Sequence, residues 1–242
     1  MTTGRVHSWD LSTGVDGPGT RFVLFLSGCP LRCLYCANPD TWHMRDGSPT
    51  TADEVTARIE AHRTFLTAAG GGVTLSGGEP LLQPAFTAEV LHRCRQLGLH
   101  TALDTSGHLG ARADDALLAD TDLVLLDIKA FDAPVHRRLT GAAPAPTLAF
   151  ARRLARLGTP VWIRYVLVPG HTDDLAAVDG LGAFLAGLGN VERVDVLPFH
   201  KLGAAKYQAL GVDFPLRDTP APDAALTARV VARLHAHGLH AL

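Results

Sequence analysis

The sequence predicts an α/β fold with a parallel sheet, and three observations carry that prediction. Six short runs rich in Val, Leu and Ile read as buried parallel strands. Longer amphipathic stretches separate them, as crossover helices do. Polar or glycine-rich residues follow every run, where strand-to-helix loops belong. Six β/α units are fewer than the eight of a closed β/α barrel; an open doubly wound sheet and a barrel both accommodate them.

The elements are justified in chain order. RFVLFL (21–26) is the first predicted strand. A helix is expected over 51–68, because Thr51 precedes Ala-Asp-Glu-Val and Glu54 stands three residues on, the pattern of a capping box. GVTLS (72–76) is the second strand, and the helix expected over 84–97 puts Phe86, Val90, Leu91, Cys94 and Leu97 on one face. Cys94 is therefore read as a small buried apolar residue, not a ligand. HTALDT (100–105) precedes a helix near 112–119, and DLVLLDIK (122–129) precedes helices near 132–139 and 146–157. PVWIRYVLV (160–168) leads to a helix over 173–188, and VERVDVLPFH (191–200) to a last helix over about 222–238. Gly238 is the expected terminator of that helix, and the neighbouring His235, His237 and His240 read as its solvated end.

Apolar residues make up 47% of 242, enough for a sizeable core. No Pro/Gly/Ser-rich linker, repeat or low-complexity segment divides the chain, so a single domain over 1–242 is expected. A net charge of −2 without a basic block argues against nucleic acid as a partner. MTTGRVHSWD lacks the apolar centre of a signal peptide, and no apolar run reaches the roughly 18–20 residues of a membrane span. The expectation is a soluble, cytoplasmic protein with no membrane partner.

In parallel α/β folds, chemistry gathers at the carboxyl ends of the strands. Here those ends carry SGCPLRCLYCANPDTW (27–42), SGGEP (76–80), DTSG (104–107), DIK (127–129), Arg164 with PGH, and PFHKLG with His200. The cysteine loop is the most specific of them: Cys29, Cys33 and Cys36 are three of the chain's four cysteines. Reducing cytosol and an odd number disfavour a disulfide. Structural zinc usually takes four Cys or His ligands in separated pairs; His43 could serve as a fourth, which leaves a zinc-binding structural or interaction protein as an alternative. An iron–sulfur cluster takes thiolates, and three thiols on a four-iron cluster leave one iron open to a substrate or cofactor.

C-x₃-C-x₂-C after the first strand, with Gly-Gly-Glu after the second, resembles the radical S-adenosylmethionine (SAM) superfamily. GRVHSWD, VDGPGTRFVLFLSGCPLRCLYCANPDTW, GGGVTLSGGEP, LDTSG, LVLLDIK, VWIRYVLVPG and LPFHKLG are, in order and spacing, similar to the pyruvate formate-lyase-activating enzymes, over nearly the whole chain from about residue 4. The resemblance implies a partial, six-stranded (β/α)₆ barrel, splayed at one side to admit a macromolecule. It implies a 4Fe–4S cluster held by Cys29, Cys33 and Cys36, with SAM chelating the remaining iron. One-electron cleavage of SAM would then lead to hydrogen abstraction from a backbone glycine of pyruvate formate-lyase. Reduced flavodoxin or ferredoxin is the implied electron donor, the setting anaerobic glucose metabolism, and the enzyme a monomer. Activases of other glycyl radical enzymes often carry a ferredoxin-like insertion with further cysteines, and residues 37–70 hold none.

The same resemblance distributes roles. Tyr35, Ala37, Gly77, Gly78, Glu79, Ile128, Lys129, Ala130 and His200 match SAM-binding positions. Ala37 stands where some relatives carry histidine, so no ligand or proton-relay role transfers to its side chain. Asp104, Thr105, the carbonyl of Leu125, and Asp127 match a site for a monovalent cation, Na⁺ or K⁺. Hard cations favour such oxygen donors, although strand-end carboxylates read alone are commonly turn caps. Asp16, in LSTGVDGPG (11–19), matches a position that supports the glycyl-radical loop of the partner. Arg164 would support the site from the fifth strand; pointing inward it needs a carboxylate partner, because an unpaired buried charge is costly.

Overall fold

The computed structural model describes residues 2–242, which form two compact units. The first comprises the chain up to Pro30, Thr41–Thr105 and Leu109–Leu125; the second comprises Leu31–Asp40, Ser106–His108 and Leu126–Leu242.

In the first unit, β1 (Thr3–Thr13) runs antiparallel to β2 (Thr20–Leu26), and β3 (Ser48–Thr51) lies antiparallel on the other side of β1. α1 (Ala52–Ala61) and α2 (Arg63–Ala68) lead to β4 (Gly72–Gly77), which is parallel to β2. α3 (Pro84–Gln96) returns the chain to β5 (His100–Thr105), parallel to β4. The strand order is β3-β1-β2-β4-β5. After α4 (Asp115–Ala119), β6 (Leu123–Asp127) carries the chain into the second unit.

The parallel strands are those the sequence announces, because they are buried on both faces and so read as unbroken apolar runs. Phe22, Val23, Leu24 and Leu26 of β2 are buried, as are Val73 and Leu75 of β4. β1 and β3 are not legible in this way. β1 is largely exposed and polar, and β3 is a four-residue edge strand containing Pro49, as edge strands tolerate.

The single helix expected over 51–68 is two. Thr51 and Glu54 form the anticipated capping box, but the ring of His62 bonds the carbonyl of Arg58 at 2.9 Å while its own N–H turns to Ile59. That side chain ends α1 and the chain restarts as α2. The helix expected near 112–119 starts later, because Asp114 caps α4 through the N–H of Leu117 at 2.8 Å and a 3₁₀ turn fills 110–112. On α3, Phe86, Val90, Leu91 and Cys94 are buried as expected, and Leu97 is half-buried.

In the second unit, α5 (Ala133–Thr140) starts at the Asp132 cap and stops at Gly141, whose φ of +81° suits glycine. α6 (Ala145–Leu157), β7 (Val161–Leu167), α7 (Leu175–Ala186), β8 (Val191–Pro198), α8 (Ala204–Ala209) and α9 (Ala224–Ala236) follow. β7 and β8 are parallel, and β7 alternates buried and half-buried residues. β6 and β8 are shorter than the runs predicted for them, so Ile128, Lys129, Ala130 and His200 lie beyond strand ends. α8 has no counterpart in the sequence reading. At the C-terminal end, His235 and His240 are exposed, as a solvated helix end requires, His235 bonds the carbonyl of Ala241 at 2.9 Å and half-buried His237 faces Asp179 at 3.5 Å.

Candidate functional site

The first unit supplies three strand ends. Beyond β2, the N–H groups of Gly28 and Cys29 donate to the carbonyls of Thr41 and Trp42 at 2.7 and 3.0 Å, pinning the first cysteine's backbone to the far end of its loop. Beyond β4, Gly78 and Glu79 donate to the carbonyls of Leu26 and Gly28, both at 2.8 Å. The two glycines are required there. A Cβ on Gly77, where φ is +116°, would stand 2.2 Å from the Leu26 nitrogen, and one on Gly78 would stand 2.3 Å from the Gly28 oxygen. Glu79 is fully buried, and its Oε1 accepts from the N–H of Leu81 at 3.1 Å and from the Thr105 hydroxyl at 2.6 Å. Ser76 in turn donates to Asp104 Oδ2 at 2.6 Å.

The loop holding Asp16 is anchored from below. The Thr74 hydroxyl donates to the carbonyl of Asp16 at 2.6 Å and accepts from Arg21 Nε at 3.0 Å. Arg21 is fully buried, and also reaches the carbonyls of Val73 and His100. Burial lowers its pKa to about 10, against the opposing field of Asp122.

The second unit holds the other two loop cysteines. Arg32 and Leu34 donate their N–H groups to the carbonyls of Thr140 and Leu139 at 3.0 and 2.9 Å, so residues around Cys33 satisfy the last turn of α5. The N–H of Cys36 bonds the carbonyl of Cys33 at 3.1 Å. Behind this segment Gly203 allows close approach: a Cβ on it would stand 2.9 Å from the Cys36 oxygen. Lys206 of α8 clasps the end of the loop, with Nζ 2.8 Å from Asn38 Oδ1 and 3.0 Å from Asp40 Oδ2.

Lys129 forms an ion pair with Asp127 at 2.8 Å and lies 5.9 Å from the centre of the Tyr35 ring. Burial disfavours its ammonium most strongly, but Asp127, Tyr35 and Cys33 together outweigh burial and hold Lys129 well above its ordinary pKa. Burial pushes the Cys33 thiol up to about 11 although Lys129 opposes the rise. The Tyr35 hydroxyl is buried and, among the described residues, has no hydrogen-bond partner.

Of the remaining predicted residues, Ile128 and Ala130 are buried and Ala37 is exposed. The N–H of Ile128 bonds the carbonyl of Arg164 at 3.1 Å, and Arg164 is half-buried on the face of β7 shared with Trp162 and Val166. His200 is exposed, its Nδ1 accepting from the N–H of Leu202 at 3.3 Å. His43 is exposed. Among the described residues, no three His, Cys, Asp or Glu side chains are gathered into a metal site as they stand.

Sequence reasoning missed Thr74, Ser76, Gly203 and Lys206. Ser76 had one available signal, a hydroxyl directly before Gly-Gly-Glu. Lys206 had none, because its partners lie 166 and 168 residues away.

Comparison with known proteins adds an independent line. Residues 23–178 match the family model of the radical SAM superfamily. The chain is 46% identical over 230 residues to the pyruvate formate-lyase-activating enzyme of Staphylococcus aureus (strain USA300), covering 92% of each protein. A crystal structure of a domain of pyruvate-formate lyase-activating enzyme from Bacteroides vulgatus ATCC 8482 superposes with a TM-score of 0.59 at 29% identity, covering 71% of this chain and 98% of that one. Streptococcus suis SuiB shares the fold at a TM-score of 0.65 and 15% identity, covering 89% of this chain and 47% of its own.

Proposed function

Since the chain belongs to the radical SAM superfamily, we propose that it is the activase of a pyruvate formate-lyase, placing a glycyl radical on that enzyme under anaerobic conditions. The observation that carries this reading is the 46% identity spanning 92% of both chains, beside a family match over residues 23–178 that takes in the cysteine loop and the Gly-Gly-Glu turn.

The donor set suits a cluster. Three thiols share one loop, Gly77 and Gly78 hold the Gly-Gly-Glu turn close against the backbone of Leu26 and Gly28, which lead into that loop, and an unsatisfied phenol lies between the second and third thiols in the chain. Cys29, Cys33 and Cys36 would each hold one iron of a 4Fe–4S cluster, as thiolates do. When bound, the cluster and SAM supply one-electron cleavage of a sulfonium C–S bond and the hydrogen-atom abstraction that follows.

This chain's residues bind and orient. The backbone of Gly77, Gly78 and Glu79 would receive the amino end of SAM. The Tyr35 ring, the backbone of Ala37, the Ile128–Ala130 segment with Lys129, and His200 would hold its adenosine. Asp104, Thr105, the Leu125 carbonyl and Asp127 would hold Na⁺ or K⁺ beside its carboxylate. Asp16 would meet the partner's glycine loop, and Arg164 would brace the Ile128 backbone that it already bonds. Reduced flavodoxin or ferredoxin would deliver the electron to a monomeric, cytoplasmic enzyme.

The test is anaerobic. The reconstituted, reduced protein is mixed with SAM and pyruvate formate-lyase, and electron paramagnetic resonance should show the doublet of a glycyl radical. SAM cleavage without a doublet on that partner would transfer the reading to another glycyl radical enzyme.

A further inference from the structure

β4 and β5 are laced together at their carboxyl ends by two hydroxyl–carboxylate bonds of opposite direction. Ser76 of β4 donates to Asp104 of β5 at 2.6 Å. Thr105 of β5 donates to Glu79, in the turn after β4, also at 2.6 Å. Ser76 is 7% exposed, Thr105 2% and Glu79 0%. Hydrogen bonds to an ionised carboxylate away from water are short and strong. The turn between the two bonds cannot adjust freely, because Gly77 and Gly78 already lie against the backbone of Leu26 and Gly28.

We propose that Ser76 is a positioning residue that joins the Gly77–Glu79 turn to the Asp104–Thr105 strand end, so that a monovalent cation held by Asp104 and Thr105 strengthens SAM binding at the turn. This rests on the assignment of those two groups under the proposed function. A cation drawing on Asp104 and Thr105 fixes both partners of the lacing at once. Asp104 then holds the end of β4 through Ser76, while Thr105 holds Glu79. By reciprocity, SAM tightens the cation by the same factor. Without the Ser76 hydroxyl, Asp104 can still meet a cation, but its order no longer passes to β4.

The experiment measures equilibrium SAM affinity of the oxidised, cluster-loaded enzyme, in which no turnover occurs. K⁺ is varied against a choline salt at constant ionic strength, for wild type, Ser76→Ala and Ser76→Thr. Wild type should bind SAM about tenfold more tightly in K⁺, the equivalent of one charge-assisted hydrogen bond. Ser76→Ala should lose most of that gain with iron content and circular dichroism unchanged, and Ser76→Thr should restore it. A Ser76→Ala protein that keeps the wild-type response to K⁺ overturns the proposal. If wild type itself ignores both K⁺ and Na⁺, the cation assignment fails, the coupling falls with it, and the wild-type arm alone reveals which failed.

Discussion

Lys129 and Asp127 form an ion pair at 2.8 Å with only 15% and 18% of their side chains exposed. Asp127 ends β6 and Lys129 lies two residues beyond it, with the ammonium 5.9 Å from the Tyr35 ring. Removing Lys129 alone strands a largely desolvated carboxylate. Lys129→Met should therefore cost about 3 kcal/mol in urea unfolding. Adding Asp127→Asn should recover part of that loss, because no charge is then left unpaired. An additive double-mutant cycle would show that the pair does not interact.

The cysteines divide by environment. Cys29, Cys33 and Cys36 are partly exposed on one loop, whereas Cys94 is buried on α3, where burial pushes its thiol up to about 12. Replacing any one of the loop cysteines by Ala should abolish cluster loading, read as bound iron and visible absorbance after anaerobic reconstitution. Cys94→Ala should load normally and lose about 1 kcal/mol of stability, the usual scale of a small core truncation. Loss of iron in Cys94→Ala would contradict this division.

Asp122 links acid stability to the starts of two strands. Burial opposes its ionisation, but the N–H and hydroxyl of Thr101, at 2.9 and 3.0 Å, hold its carboxyl below the ordinary range, with Arg95 assisting at 2.8 Å. A depressed carboxyl contributes stability above its unfolded pKa and loses that contribution as pH falls through its folded pKa. Asp122→Asn should thus be destabilising at neutral pH, and the gap from wild type should close as pH drops below about 4. Denaturant midpoints across pH 2–7 measure this, and a gap that stays constant would assign the effect to packing.

Arg21 is the largest wholly buried side chain among the described residues, and it serves acceptors on β4 and at the start of β5. Arg21→Met keeps much of the volume but removes the guanidinium donor from the carbonyls of Val73 and His100 and from the Thr74 hydroxyl. The expected cost is about 2 kcal/mol, with faster hydrogen exchange over residues 14–19, because Thr74 loses the donor that orients it toward Asp16. Unaltered exchange in that loop would show that Arg21 supports the strands alone.

Legibility followed the range of each interaction. The capping box of α1 is written in four consecutive letters and is present, with the N–H of Glu54 on the Thr51 hydroxyl at 3.2 Å. The burial of Cys94 followed from helical spacing, and β2 and β4 from residues apolar on both faces. β1 escaped notice because an exposed antiparallel strand carries no apolar run. The break at His62 depended on one imidazole choosing a carbonyl four residues back. At the site, the strand-end residues were visible as letters, but the lacing of Ser76 to Asp104 and the clasp of Lys206 on Asp40 were not. Those bonds join residues 28 and 166 positions apart, and no local pattern encodes such pairings.

The bonds from Arg32 and Leu34 to the last carbonyls of α5 also set an order of assembly. A nascent chain emerges with all three loop thiols long before residues 139 and 140 are made, and through that interval the segment around Cys33 lacks the helix end that shapes it. The segment around Cys33 therefore reaches its final shape only once α5 is complete.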